Sequence, residues 1–540
     1  MLHHPRIVRC AAYILPALCI SFLLYSCKPY KGLIGSSGQA TVPTLKASVP
    51  YSIVASHLLR DSSWNISFDP AITHSPEGGI TIFRRIGEDL CAAEHYTRDS
   101  FALDWSVSLP IREDETFEPA IKYSGGKLYC AGVDSYADVD SISFRVLVID
   151  PAARRIESDR RTFRDADDYS SITHKAKRSG YYVARSDDSS LFLLYTDDIV
   201  NDDEKSSGHA LIARCHIFDI TGKELGAPSF TLPLPEHYKD LDNSGLQDVK
   251  IANDGSIYAW VKRANDIIEI ARYPDLGAGK PEILRVSFSS ADFPADDFSI
   301  AEECWQIDPK TSRVDLAGSH RKGTDGELMK DMLYASLDFR TKEIRTGQYK
   351  PPKDTIDAFL DQSDFENCVL RKIMHDEVSG KTILVIHKAS LNTVVTYNPN
   401  MDRQYRWVPS GSRLNKNICK GFAVFGFDRD GKLAFQYGLP SHAGNTSMFS
   451  LLDPVNGKAG LYYVDDDITP VGLYYRSIDM ASGALSSPFH IYATEKSSYS
   501  LLRYTQWENP KSAVMFASGF TFSKAYTLLR NPTIFRLNMP

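Results

Sequence analysis

Glu118-Pro119-Ala120-Ile121-Lys122-Tyr123-Ser124-Gly125-Gly126-Lys127-Leu128-Tyr129 stands beside an earlier copy of the same pattern, Asp69-Pro70-Ala71-Ile72-Thr73-His74-Ser75 followed by Gly78-Gly79-Ile80-Thr81-Ile82. Each reads as a strand, a glycine turn and a second strand, because alternating apolar residues suit a pleated sheet and the glycines reach the positive φ that a tight hairpin demands. A related strand precedes each copy, Trp64-Asn65-Ile66-Ser67-Phe68 before the first and Trp105-Ser106-Val107-Ser108-Leu109 before the second.

Working outward, hairpins of the same kind are expected at Asp188-Ser189-Ser190-Leu191, Asn253 to Tyr258, Lys310 to Val314, Ser379 to Ile383, Asp428 to Leu433 and Asn509 to Val514. Their turn residues bond their own backbone or tolerate positive φ. With the first two they make eight. Third runs follow most of them, at Phe144 to Asp150, Ile212 to Asp219, Met332 to Asp338 and Thr393 to Asn398. Helix-period patterns are scarce beyond the N-terminus, so the body is expected to be all-β.

Units of about 50 to 65 residues with three or four short strands suit the blades of a β-propeller, in which no blade can bury both faces alone. A single propeller of seven to nine blades is expected, eight favoured, the count turning on a further hairpin at Asn456-Gly457-Lys458. Trp64 to Phe68 is expected to complete the C-terminal blade formed by Ser500 to Leu529, closing the last blade with an N-terminal strand. Two stacked β-sandwiches are the alternative. The unit Trp105 to Asp150 resembles the repeat of PQQ-like propellers, in which a tryptophan strand, a Pro-containing strand, a glycine turn, a Tyr/Val strand and an aliphatic strand ending in Asp follow one another.

The N-terminus carries an address. Arg6 and Arg9 precede the apolar run Ala11 to Tyr25, too short to span a bilayer but suited to a secretory signal. It ends in Leu24-Tyr25-Ser26-Cys27, which resembles the lipobox of bacterial lipoproteins, with Tyr25 a departure at a position that is usually small. The resemblance implies cleavage between Ser26 and Cys27 and lipid on the Cys27 sulfur, anchoring the chain to a membrane with its body on the exported side of a bacterial envelope. An ordinary signal peptide or an uncleaved anchor is the alternative. The expected organisation is a signal peptide over 1–26, an anchor and Gly/Ser/Pro-rich tether over 27–62, and the propeller over 63–540.

Losing Arg6 and Arg9 takes the formal charge from -7 to -7 - 2 = -9, which argues against nucleic acid as a partner. After Cys27 the cysteines are Cys91, Cys130, Cys215, Cys304, Cys368 and Cys419, with no CxxC, and they read as small buried hydrophobes. No hydrolase, zinc-protease, Walker or dinucleotide motif occurs, and the vicinal cysteine pair seen in quinone-dependent propeller dehydrogenases is missing. No catalytic, metal or cofactor residues are therefore assigned. Calcium is weighed at Asp197-Asp198 with Asp202-Asp203-Glu204, at Asp465-Asp466-Asp467 and at Asp428-Arg429-Asp430-Gly431, and solvated loops and a hairpin turn are preferred.

The chain also resembles in layout the PQQ-like propeller lipoproteins of outer-membrane protein assembly. That implies a non-catalytic scaffold contacting envelope proteins. The other reading is a surface or periplasmic enzyme or receptor acting on carbohydrate or peptide in the propeller channel.

Overall fold

The computed structural model describes residues 44–45, 52–58 and, between 71 and 538, all but 87–89, 112–114, 137–140, 166–181, 202–208, 234–244, 265–266, 289–296, 309–310, 323–327, 330, 350–364, 367, 377, 394–414, 441–448, 466–471, 494–498, 510–511 and 523–526. Apart from a short 3-10 turn at Asp275–Gly277, the secondary structure of the described residues is strand. No helix among them is long and apolar enough to cross a membrane.

The strands form eight sheets that follow one another along the chain, built on four-stranded antiparallel meanders. The first comprises Ala71–His74, Ile80–Arg85, Leu90–Tyr96 and Leu103–Pro110, the second Glu115–Ser124, Lys127–Tyr136, Ser141–Asp150 and Arg155–Asp165. The Trp105 strand is thus the outer strand of the first sheet and the Pro-Ala-Ile strand opens the second. The sequence repeat is offset by one strand from the sheets.

Burial explains the difference between middle and outer strands. In Ile80–Arg85 every residue from Ile80 to Arg84 is buried, and Met332–Asp338 is buried from Met332 to Ser336 and at Leu337. In Leu103–Pro110 burial alternates, with Trp105, Val107 and Leu109 inside and Asp104, Ser106 and Ser108 outside or partly so. A middle strand that is apolar on both faces needs a neighbouring sheet on each side.

Those neighbours are present. Phe83, Trp105 and Val107 of the first sheet share a core with Phe117, Ile121 and Cys130 of the second, the Phe83 and Phe117 rings meeting edge-on at 5.8 Å. Phe144 of the second stacks on Phe218 of the third at 4.6 Å, and Phe230 of the third on Tyr273 of the fourth at 4.3 Å. Trp260 and Trp305 join the fourth to the fifth, Tyr334 and Phe427 the fifth to the sixth, and Met374 and Leu461 the sixth to the seventh. Phe449–Val455 of the seventh contacts Tyr499–Asn509 of the eighth. Val514 of the eighth lies in one core with Ile80, Ile82, Tyr96 and Phe101 of the first, and the Arg536 guanidinium stands 4.6 Å from the centre of the Phe101 ring.

Several expectations are corrected. The strand that completes the eighth sheet is Ser52–Leu58, antiparallel to Thr527–Asn538 with Ser52 opposite Asn538. Trp64 to Phe68 lies outside the described residues. Thr44–Leu45 pairs in parallel with Leu485–Ser486 of the seventh sheet, so the tether read over 27–62 contains two sheet-bound segments. An outer strand bonds on one side only, so a short apolar run such as Ile53 to Leu58 suffices and carries little local signal.

The hairpin at Asp428 joins the third and fourth strands of the sixth sheet, Asn415–Phe427 and Leu433–Pro440, and opens no new one. The first hairpin of the seventh sheet is the one at Asn456-Gly457, between Phe449–Val455 and Lys458–Asp465. Thr393 ends a second strand, Lys381–Thr393, instead of starting a third.

Candidate functional site

An antiparallel meander places its first and third turns at one end of the sheet. Its second turn and the link to the next sheet lie at the other. The turn end is closed by short, side-chain-bonded turns. Asp219 Oδ1 accepts from the Thr221 and Lys223 amides and the Thr221 hydroxyl; Asp338 Oδ1 accepts from the Arg340 and Thr341 amides; Asp428 Oδ1 from those of Asp430 and Lys432; and Asp479 Oδ1 from that of Ser482. Asp150 does the same for the Ala153 amide. This is the physical reason for the aliphatic strand that ends in Asp: a carboxylate satisfies the turn's free amides.

Gly431 turns with φ +79°, and a Cβ there would stand 2.8 Å from the Thr346 carbonyl oxygen of the fifth sheet. The Asp428-Arg429-Asp430-Gly431 segment is therefore a hairpin turn packed against its neighbour.

The same end is stitched from sheet to sheet. Lys122 of the second donates to Asp188 of the third at 3.0 Å, and the Asp188 amide donates to Asn253 of the fourth at 3.1 Å. Lys342 of the fifth donates to Glu282 of the fourth at 2.6 Å, and Lys381 of the sixth to the Ala481 carbonyl of the seventh. Burial raises the Asp188 pKa, but bonds from Ser190, Lys122 and Ser186 outweigh it and hold the carboxyl down at about 2.

At the opposite end lie the described strand ends that flank 166–181, 234–244, 350–364 and 394–414, which are themselves outside the described residues. The last contains Tyr397, Tyr405, Arg406 and Trp407, residue types enriched where proteins bind one another.

Buried charges occur inside the sheets, where sequence reading did not place them. In the first, Arg84 Nε donates to Glu94 at 2.7 Å and the Tyr96 hydroxyl donates to the same oxygen at 2.8 Å. Burial, then the Glu94 charge, pushes the Tyr96 hydroxyl well up. In the second, Asp134 accepts from Arg161 at 2.7 Å while Arg145 holds Asp159 through two nitrogens at 2.9 and 2.7 Å. Between the third, fourth and fifth, Asp248 accepts from Trp305 Nε1 at 2.7 Å and from Tyr195, and burial raises its pKa despite Lys250 nearby. The available signal was a charge inside an apolar run, as Glu94 is in Leu90-Cys91-Ala92-Ala93-Glu94. These carboxylates sit in separate sheets and are engaged by their own donors, which makes them structural ties.

Of the residues singled out earlier, Ser26 and Cys27 lie outside the described residues. Asp197 and Asp198 are not in a loop: they pair with Ala213 and Ile212 inside Leu191–Asn201. Residues 202–204 and 466–467 lie outside the described residues, and Asp465 ends a strand. Among the described residues no three His, Cys, Asp or Glu side chains come together as metal ligands. Cys91, Cys130 and Cys215 are buried, and burial pushes the Cys215 thiol up to about 12 and that of Cys130 higher still. Cys304, Cys368 and Cys419 lie in strands.

No protein-family model matches the sequence, and no curated protein matches it. Among solved structures the chain is similar to the N-terminal domain of Nup159, at 8% identity over 93% of this chain and 99% of that one, with a TM-score of 0.39. It is also similar to the polysaccharide lyase Uly1, at 12% identity over 76% and 89% with a TM-score of 0.37. A third likeness is to the WD40 domain of SCAP from fission yeast, at 8% identity over 80% and 98% with a TM-score of 0.34.

Proposed function

We propose that this chain is a lipid-anchored envelope lipoprotein whose body is a closed, eight-bladed β-propeller serving as a non-catalytic protein-interaction scaffold. Closure is supported by Val514 of the last sheet sharing a core with Ile80 and Ile82 of the first. Ser52–Leu58 then locks the last blade as its outer strand. The anchor reading rests on Leu24-Tyr25-Ser26-Cys27, with Ser26 directly before the cut and lipid on Cys27.

The observation that carries the scaffold role is the contrast between the two ends of the sheets. One end is closed by bonded turns, while at the other the strand ends Thr393 and Asn415 flank residues 394–414, whose sequence holds Tyr397, Tyr405, Arg406 and Trp407. Loops on a rigid frame make a wide surface that neighbouring envelope proteins can engage.

Two experiments test this. Metabolic labelling with a fatty acid should mark the wild type and leave Cys27→Ala unmarked; equal labelling removes the anchor. A photo-crosslinking amino acid at Trp407, activated in native membranes, should capture envelope proteins that the same group at Val378 on the turn end does not. A chain captured with no envelope protein at all removes the scaffold role.

A further inference from the structure

The last strand of each meander forms an outer edge, and such an edge invites pairing with a second chain unless something guards it. Most of these edges are guarded. The register with the neighbouring strand slips once along Leu103–Pro110, twice along Arg155–Asp165, and once each along Leu433–Pro440 and Ser52–Leu58. A slip of this kind bends and twists the strand, which spoils it as a template. The third sheet ends in two short pieces, Glu224–Gly226 and Ser229–Pro233. The seventh ends in Phe489–Ala493, which also slips, and in Leu485–Ser486, which Thr44–Leu45 already covers.

Two edges lack these guards, Glu282–Ser287 of the fourth sheet and Glu343–Tyr349 of the fifth, each in unbroken register with its neighbour. Each also exposes an isoleucine, Ile283 by 49% and Ile344 by 39%. They differ in the order of their charges. On the fifth sheet Glu343 and Arg345 stand two positions apart on one face of the strand, with Ile344 between them on the other face. Arg345 donates through Nε and Nη2 to the Glu343 carboxylate at 2.8 and 3.0 Å. On the fourth, Glu282 and Arg285 stand three apart and so lie on opposite faces, and Pro281 directly before them has no N–H to donate.

We propose that Glu343–Tyr349 is a self-docking edge, to which the same strand of a second copy of this chain adds antiparallel about Ile344. Directly opposed residues of an antiparallel pair share a face. Centring on Ile344 sets that side chain against itself and sets Glu343 against the partner's Arg345, so Glu343-Ile344-Arg345 is its own complement when read backwards. Each carboxylate then has one guanidinium beside it on its own strand and another across the pair, four charges alternating in sign. Lys342, which donates to Glu282, meets the uncharged Thr346 of the partner subunit. Centring on Arg345 would oppose two guanidiniums. Centring on Thr346 would set Glu343 against Tyr349 and Arg345 against Gly347, leaving both charges without a counter-charge across the pair. The charge order thus selects one register. A pairing this short buries far less than the roughly 1,200 Å² of a stable complex, so the contact is weak and reversible.

The test oxidises purified full-length Ile344→Cys with copper phenanthroline and follows the covalent dimer on non-reducing gels. A cysteine that faces itself across an antiparallel pair comes within disulfide reach. Ile344→Cys should dimerise faster than Ile283→Cys, its comparably exposed counterpart on the fourth sheet. Adding Glu343→Arg to Ile344→Cys opposes like charges on both sides of the two-fold and should slow dimerisation by about fivefold. Adding Arg345→Glu as well restores an alternating set and should restore the rate. Equal rates for the two cysteines, no dimer at all, or no recovery in the charge swap overturns the proposal. Ile344→Cys oxidised in its native cells and linked to a different protein instead of to itself overturns the second copy and gives the edge to a foreign strand.

Discussion

The two ends of the same sheets obey different rules. At the turn end, five carboxylates, Asp150, Asp219, Asp338, Asp428 and Asp479, close turns by the same local bond, and cross-sheet contacts such as Lys122 to Asp188 tie one sheet to the next. At the other end the stretches between consecutive described strand ends range from the two residues 265–266 to the 21 residues 394–414.

The strongest way to break the comparison is to remove residues 44–58, which takes away the strand that enters at the turn end and pairs with Thr527–Asn538. The expected loss is about 3 kcal/mol or more of unfolding free energy, since a whole edge pairing disappears and the eighth sheet is left with three strands. Chemical denaturation would measure it, and an unchanged midpoint would show that the last sheet does not need its N-terminal partner. Next in size is Gly431→Ala. It forces a side chain into positive φ and against the Thr346 carbonyl, at an expected cost of about 2 kcal/mol.

Asp219→Ala should cost about 1 kcal/mol, because the amides of Thr221 and Lys223 lose their acceptor in a partly exposed turn. A pH titration sharpens the same point. The Asp188 carboxyl is held at about 2 by Ser190, Lys122 and Ser186, below its unfolded value of about 3.9. A depressed pKa stabilises the fold above the unfolded value, and that contribution fades as pH falls through the folded one. The difference in thermal midpoint between wild type and Asp188→Asn should be present at about pH 5 and close by about pH 2. The smallest effect belongs to the other end. Shortening 394–414 by half should change stability by only about 0.6 kcal/mol, as loop-closure entropy varies slowly with length, while abolishing capture of partners through Trp407.

Much of this frame was legible in the chain. Strand period and turn chemistry are local, so Pro119 to Tyr129, Asn253 to Tyr258 and Ser379 to Ile383 identify hairpins by themselves. What a hairpin joins is not local. The turns at Asp428 and Asn456 use the same residue types, yet one closes the outer half of the sixth sheet and the other opens the seventh. The sequence reading counted the first among the opening hairpins and left the second undecided, and the strand pairing settles both.

The buried pair Arg84 and Glu94 was equally hidden, because a charged residue in a strand reads as solvent-facing until a neighbouring sheet covers it.

The sequence by itself determined the β character and the turns with their Asp acceptors, since each depends on residues within a few positions of one another. The tertiary structure alone decided that Ser52–Leu58 completes the last sheet, that Val514 meets Ile80, and at which end the N-terminal chain arrives. Those pairings join residues hundreds of positions apart. They are chosen by which edge and which face remain uncovered once every other sheet has packed.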